Sequence, residues 1–283
     1  MANTLKTIAM PARPVAVAAA QAQPVAGDVE ANAEKAARMI MEAKQAGAEI
    51  IVFPEKFLTG YETGLIASDP ERYAVRSGDP RIQPILDACR EANMAAVVGA
   101  AAFEAGALHV SSLIVDRAGE VRGLYHKQFL FHTERQLYAP GKTGVSLELD
   151  GWRFGLAICY DAGFPEHARS AALQGCHVYL ASALCSQGNG YHESRVWYPA
   201  RALDNTLYCV LSNHVGKTGG WDVCGSSAIW SPYGSVLAEA DAESETVVVA
   251  VLYPDELRRV RSEETMLADF PGRDPGPFQS FVL

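Results

Sequence analysis

The stretch Phe154-Gly-Leu-Ala-Ile-Cys159-Tyr-Asp161-Ala-Gly-Phe-Pro-Glu166 runs from an apolar segment through a turn and into the start of a helix. Apolar residues at consecutive positions through Ile158 read as a strand buried on both faces. A helix is expected to follow over residues 164–175. A nucleophile held at a strand–turn–helix junction is a known catalytic geometry. The sharp turn exposes the side chain, and the next backbone N–H points to where an oxyanion would form. Cys159 is therefore the first candidate catalytic residue.

The same alternation extends outward in both directions. Residues 15–21 read as a strand, and Asp28 as the N-cap of a helix to about Ala46, with Ala33, Ala36, Ala37, Ile40 and Ala43 at helical spacing. Gly47 closes that helix before a strand at residues 49–53. A helix over residues 79–93 precedes a strand at 95–99. Residues 110–115 and 121–125, joined by the turn Asp116 to Gly119, read as a hairpin. Beyond the cysteine, strands are expected at 177–181, 207–212 and 246–252, with helices at 198–205 and from Pro254. A strand pair at 226–231 and 236–240 flanks Pro232-Tyr-Gly234. This β-α-β-α-β order indicates a layered α/β fold. No Gly/Ser or Pro linker divides the chain, so residues 1–283 are read as one domain with an N-terminal tail at 1–13. The Pro/Gly-rich extension at 270–283 carries Phe278, Phe281 and Leu283, and is expected either to be disordered or to pack on a neighbouring subunit.

Composition excludes several functions. The 283 residues include 24 Lys and Arg against 33 Asp and Glu, a formal charge of −9 with no basic stripe. Phosphate-backbone binding, and hence a nucleic-acid partner, is disfavoured. No apolar run approaches the ~18 residues that a membrane span needs. The N-terminus lacks the basic start and compact apolar core of a signal peptide. Six cysteines without a CxxC pair argue against zinc and against a disulfide framework. Cys89, Cys176, Cys185, Cys209 and Cys224 read as small buried hydrophobes in a reducing cytoplasm.

Two more strand ends deliver reactive groups. Ile50-Ile-Val-Phe-Pro-Glu55 ends in a carboxylate and Gly123-Leu-Tyr-His-Lys127 in an ammonium. A thiol is mostly protonated at neutral pH. A carboxylate with a raised pKa can take its proton, and a lysine beside both can hold the developing oxyanion. Taken singly, Glu55 and Lys127 read as surface charges and Cys159 as an inert core thiol.

Their joint order is more informative. Phe53-Pro-Glu55 with Gly60-Tyr61, His126-Lys127, Pro140-Gly141, Cys159-Tyr-Asp161 and Phe164-Pro-Glu166 closely resembles the nitrilase, or carbon–nitrogen hydrolase, superfamily. The likeness continues through Arg201-Ala-Leu-Asp-Asn205, Ser212-Asn213 and Gly225-Ser-Ser-Ala-Ile229, and covers residues 15–252. The resemblance implies a four-layer α-β-β-α sandwich that dimerises through its helices into an eight-layer assembly. It also implies a Glu55–Lys127–Cys159 triad needing no metal or organic cofactor. Glu134, six residues before Pro140-Gly141, takes the place of the family's second glutamate as a positioning residue, hydrogen-bonded to Lys127 or the substrate nitrogen. The backbone N–H of Tyr160 joins Lys127 at the oxyanion.

Cys159-Tyr-Asp161 resembles the amidase and carbamoylase branches more than the Cys-Trp-Glu of true nitrilases. Ala162 and Gly163 stand where branches acting on carboxylate substrates place Arg or His. A buried carboxylate would need such a cation. A small uncharged aliphatic amide is therefore the expected substrate. An N-carbamoyl amidohydrolase or omega-amidase is the alternative on the same triad. A papain-like thiol protease and a catalytically silent assembly module are the alternatives of another class. Tyr61, Phe131, Phe164 and Trp197 are candidate pocket walls, and His132 and His192 candidate pocket edges. Arg201 and Asp204, three apart on a helix, read as a structural ion pair.

Overall fold

The computed structural model describes residues 9–270 and 276–283. Residues 1–8 of the expected N-terminal tail lie outside them. In the first half, strand β1 (Val15–Gln21), helix α1 (Val29–Gln45) and strand β2 (Ile50–Val52) lead to the short helices α2 (Thr63–Ser68) and α3 (Pro70–Tyr73). Helix α4 (Gln83–Ala92), preceded by one 3-10 turn, then leads to β3 (Ala95–Glu104), β4 (Ala107–Val115) and β5 (Val121–His126).

The second half repeats that plan. Strands β6 (Gly144–Leu149) and β7 (Trp152–Ile158) precede helix α5 (Pro165–Leu173), β8 (Val178–Ala183), helix α6 (Asn189–Asn205) and β9 (Tyr208–Asn213). A hairpin of β10 (Val215–Thr218) and β11 (Trp221–Cys224) follows, then β12 (Ala228–Trp230), β13 (Val236–Glu239) and β14 (Thr246–Leu252). Helices α7 (Pro254–Glu263) and α8 (Met266–Asp269) and strand β15 (Phe278–Val282) complete the order.

One sheet runs β14-β1-β2-β3-β4-β5 and the other β13-β12-β9-β8-β7-β6-β15. Each is parallel at its centre, where β1, β2 and β3 in one sheet and β7, β8 and β9 in the other join through helices, and antiparallel on either side of that centre, except that the edge strand β15 runs parallel to β6. Because side chains alternate, each central strand feeds two different cores. Val17, Ile50 and Val97 of the first sheet meet Phe154, Leu156 and Val210 of the second in a shared interior. Ala18, Ala20, Ile51 and Val98 pack instead on Ala33, Ala36 and Ile40 of α1. Ala157, Tyr179 and Ala181 pack on Ala168 and Ala172 of α5 and on Tyr198 of α6. The result is the expected α-β-β-α sandwich, and the small residues of β1 and α1 let helix and sheet approach closely.

Several expectations need revision. Helix α6 begins at Asn189, nine residues before the expected start at 198, and passes through Pro199. The proline forfeits one backbone hydrogen bond, but its neighbours Tyr198 and Ala202 are buried in the core, and that packing holds the helix together. Strand β6, the β10–β11 hairpin and the short helices after Glu55 were not expected at all. The C-terminal extension has a defined place at 278–282: β15 pairs in parallel with β6 of its own chain, Phe278 opposite Gly144. Residues 271–275 of that extension lie outside the described residues.

One glycine holds the first sheet against the turn that presents Glu55. A Cβ on Gly99 of β3 would lie 1.9 Å from the Pro54 carbonyl oxygen and 2.9 Å from Glu55 Cα. Its carbonyl accepts from Leu58 N at 3.0 Å. Gly99→Ala is expected to cost at least ~2 kcal/mol, because backbone atoms on both sides must yield. Thermal unfolding would show it as a clear drop in Tm, and an unchanged Tm would refute the close-packing account.

Candidate active site

The carboxyl ends of β2, β5, β7 and β8 converge, as open α/β sheets favour for their sites. Glu55 N reaches across the sandwich to Ala183 O at the end of β8, at 3.4 Å. Phe53 N pairs with Val97 O at 2.8 Å, extending the ladder beyond β2. Pro54 then ends the strand, having no N–H to donate. His214 Nε2 lies 2.6 Å from the Glu55 carbonyl oxygen. Burial lowers the His214 pKa to about 4, so the ring is neutral and donates there.

The four residues expected to act together are in one place. Lys127 Nζ donates to Glu55 Oε1 at 2.7 Å and to Glu134 Oε2 at 2.8 Å. All three of these side chains are fully buried. Glu134 also accepts from Tyr61 OH at 2.7 Å on Oε1 and from Phe131 N at 2.9 Å on Oε2. Glu55 Oε2 is buried without a hydrogen-bond partner, so it is free to take a proton. Cys159 is half-buried at the base of a pocket, its thiol donating to Leu184 O at 3.4 Å.

Environment separates the two carboxylates. Burial raises the Glu55 pKa to about 6 against the opposing pull of Lys127. Glu134 is buried too, but Lys127 and Lys56 hold it down at about 2. Burial, reinforced by the nearby Glu55 charge, pushes the Cys159 thiol well above its ordinary value. The thiol is therefore neutral at rest, unlike a standing thiolate ion pair, and could attack only with the help of a base.

Backbone strain and a buried network shape the turn at Cys159. Cys159 has φ of 48°, in the left-handed region that non-glycine residues enter only under constraint. Asp161 supplies that constraint. Its Oδ2 accepts from Ile158 N at 2.9 Å and Tyr125 OH at 2.6 Å. Its Oδ1 accepts from Gln128 N at 3.1 Å and Phe129 N at 2.9 Å, tying the turn to the segment after Lys127. Arg201 donates through Nε to Ala162 O at 2.9 Å. It also meets Asp204 at 3.5 Å as expected, but its shorter bond clamps the turn after Cys159.

A pocket of about 280 Å³ opens over the cysteine. Tyr61, Phe131 and Trp197 line it, as expected, and Tyr160 joins them. Phe164 does not: its ring stacks on Phe129 at 3.9 Å, behind Tyr160, so it backs the wall instead of forming it. His132 and His192 are exposed and absent from the lining, because both lie on solvent-facing turns of their segments. Leu184, Cys185, Asn189, Glu193 and Trp221 also line the pocket. Leu184 and Cys185 follow β8, whereas Asn189 and Glu193 come from the early part of α6 and Trp221 from β11, neither of which was expected from the sequence. Among the described residues no group of His, Cys, Asp and Glu could hold a metal ion. Among the same residues no helix is long and apolar enough to cross a membrane.

The carbon-nitrogen hydrolase family profile matches residues 16–262, almost the whole sandwich. The chain belongs to the carbon–nitrogen hydrolase family. As a member of it, the protein is a hydrolase acting on carbon–nitrogen bonds. This carbon–nitrogen hydrolase is 32% identical over 240 residues to a nitrilase of Pyrococcus abyssi, covering 83% of this chain and 88% of that one. It is 31% identical to an (R)-stereoselective amidase of Pseudomonas sp, covering 78% of this chain and 79% of the relative. Among solved structures it superposes with a TM-score of 0.76 on a nitrilase-superfamily amidase from Nesterenkonia sp. AN1, 26% identical, covering 88% of this chain and 97% of that one. That structure, a glutamate-to-glutamine variant, carries the product of Michael addition of acrylamide at its active-site cysteine.

Proposed function

We propose that this hydrolase converts small, uncharged aliphatic amides to carboxylic acid and ammonia through a thioester on Cys159. The observation that carries the reading is the pocket lining. Aromatic and apolar side chains predominate around the cysteine, with Ser186, Asn189 and Glu193 as the polar members, and no Lys, Arg or His is among the lining residues. A substrate carboxylate would enter without a counter-ion and beside Glu193, the one charged side chain of the lining. The absence of histidine there also weighs against thiol-protease chemistry, which requires an imidazole base.

In this mechanism Glu55 Oε2 accepts the thiol proton as Cys159 Sγ attacks the amide carbon. Lys127 and the Tyr160 N–H stabilise the oxyanion. Glu55 returns the proton to the amide nitrogen, the C–N bond breaks, and ammonia leaves a thioester. Water, deprotonated by the same glutamate, attacks the thioester carbon. The C–S bond then breaks, releasing the acid and restoring the thiol. Glu134 holds Lys127 and Tyr61 in place throughout.

Ammonia release from propionamide, benzamide, a carbamoyl amino acid, glutaramate and a nitrile tests the substrate class. Propionamide should be turned over best and glutaramate poorly. Turnover confined to the carbamoyl compound, with carbon dioxide released, would overturn the aliphatic-amide reading while leaving the residue roles intact.

The pH dependence follows from Glu55. Its folded-state pKa is raised to about 6, so the proton-accepting form exists above that value and is lost below it. The kcat/KM profile should climb about tenfold per pH unit from the acid side and level off above about pH 6. A limb near the ordinary glutamate value would show that Glu55 is not the base.

A further inference from the structure

A second lysine lies inside the same cluster. Lys56, directly after Glu55, has a fully buried side chain and a backbone φ of 51°. Its Nζ lies 3.7 Å from Glu134 Oε1, 3.5 Å from Thr63 Oγ1 and 3.3 Å above the centroid of the Tyr61 ring. The Tyr138 ring lies on a further side, 5.1 Å away. An ammonium is costly to bury, and this one is held by a carboxylate and two aromatic faces at a backbone conformation that lysine rarely adopts.

Charge counting shows what it does there. Glu55 is faced by Lys127 from the end of β5, by Glu134 and Tyr138 from the following loop, and by Cys159 from the end of β7. Cys185 after β8, Tyr61 and Lys56 from its own loop, and His214 on its carbonyl complete the surroundings. Burial keeps the phenols and thiols neutral, and His214 is neutral as well. The charges that remain are those of Glu55, Glu134, Lys127 and Lys56. Without Lys56 a single ammonium would have to neutralise two buried carboxylates.

We infer that Lys56 is a positioning residue for the reaction: it neutralises Glu134, leaving Lys127 free to hold Glu55 as an anion ready to accept the thiol proton. This rests on the proposed role of Glu55 as base. The contacts of Lys56 Nζ are Glu134, Thr63 and the Tyr61 ring, so it acts through Glu134. Burial lowers its own pKa to about 8, which still leaves it charged at neutral pH.

Lys56→Met and Lys56→Gln test the role, read through two pH profiles from about pH 4 to about pH 9. One is amide turnover. The other is the rate at which iodoacetamide alkylates Cys159, mapped by peptide mass because Cys185 also lines the pocket. Removing the cation should move the acid limb of both profiles upward by at least about half a pH unit, a rate loss of about threefold on the rising part of the limb. In Lys56→Met/Glu134→Gln, where both charges are gone, the limb should return toward that of the wild type. Unmoved limbs in folded single variants, with only Tm lowered, would overturn the inference. So would single variants that fold only once Glu134 is also neutralised, since the pair would then serve folding alone. If the wild type turns over no amide, the amide reading fails, but the alkylation limb still decides the role of Lys56.

Discussion

Cys159→Ala is expected to abolish amide turnover, lowering kcat by at least about 10⁴-fold, with no acyl group detectable on the protein by intact mass. The reason lies in the pocket. Among the described residues Cys185 is the other thiol in its lining. Its pKa is pushed far up by burial, and it lacks the left-handed backbone that marks the turn at Cys159. Cys185 therefore cannot substitute. The variant should remain folded, because alanine meets the left-handed φ at Cys159 no worse than cysteine does and the side chain is only half-buried. Ammonia release and thermal unfolding measured together check this. Full turnover by a folded Cys159→Ala protein would refute the thioester route.

Glu55→Gln should cost about 10² to 10⁴-fold in kcat/KM, the usual worth of a positioned general base, and should erase the acid limb of the profile. The glutamine carbonyl can still accept from Lys127, which donates to Glu55 at 2.7 Å. Geometry is then largely kept while proton transfer is lost. Thermal unfolding measured beside activity separates this loss of chemistry from any loss of folded protein caused by leaving Lys127 with one carboxylate fewer. A variant that keeps both activity and the limb would move the base elsewhere in the cluster. The two substitutions differ in outcome: Cys159→Ala removes the covalent step, whereas Glu55→Gln leaves a thiol that a strong alkylating agent still reaches.

Much of the fold could be read from local pattern. Asp28 accepts from Ala31 N at 3.0 Å, as an N-cap should. Asp116 accepts from Ala118 N and Glu120 N, each at 2.9 Å, in the turn that its spacing predicts. The failures share one cause. Pro199 and the glycines near residue 188 signal a break, but α6 runs through because tertiary packing outweighs propensity. That misreading hid Asn189 and Glu193 from the pocket, just as the missed β11 hairpin hid Trp221.

The site divides in the same way. By itself the sequence determined the layered α/β order and placed Glu55, Lys127 and Cys159 at strand ends, since strand ends follow from apolar runs and proline. It also placed Glu134, but only through spacing shared with a family. Tertiary structure alone decided which groups share charge. Lys56 reads as an ordinary lysine beside a glutamate until the fold buries it against Glu134 and Tyr61. Asp161 reads as a turn residue until it ties the segment after Lys127 to the cysteine turn. Phe164 reads as a pocket wall until Phe129 stacks on it. Each of these depends on contacts between segments far apart in the chain or on burial from water, and neither is encoded in local periodicity.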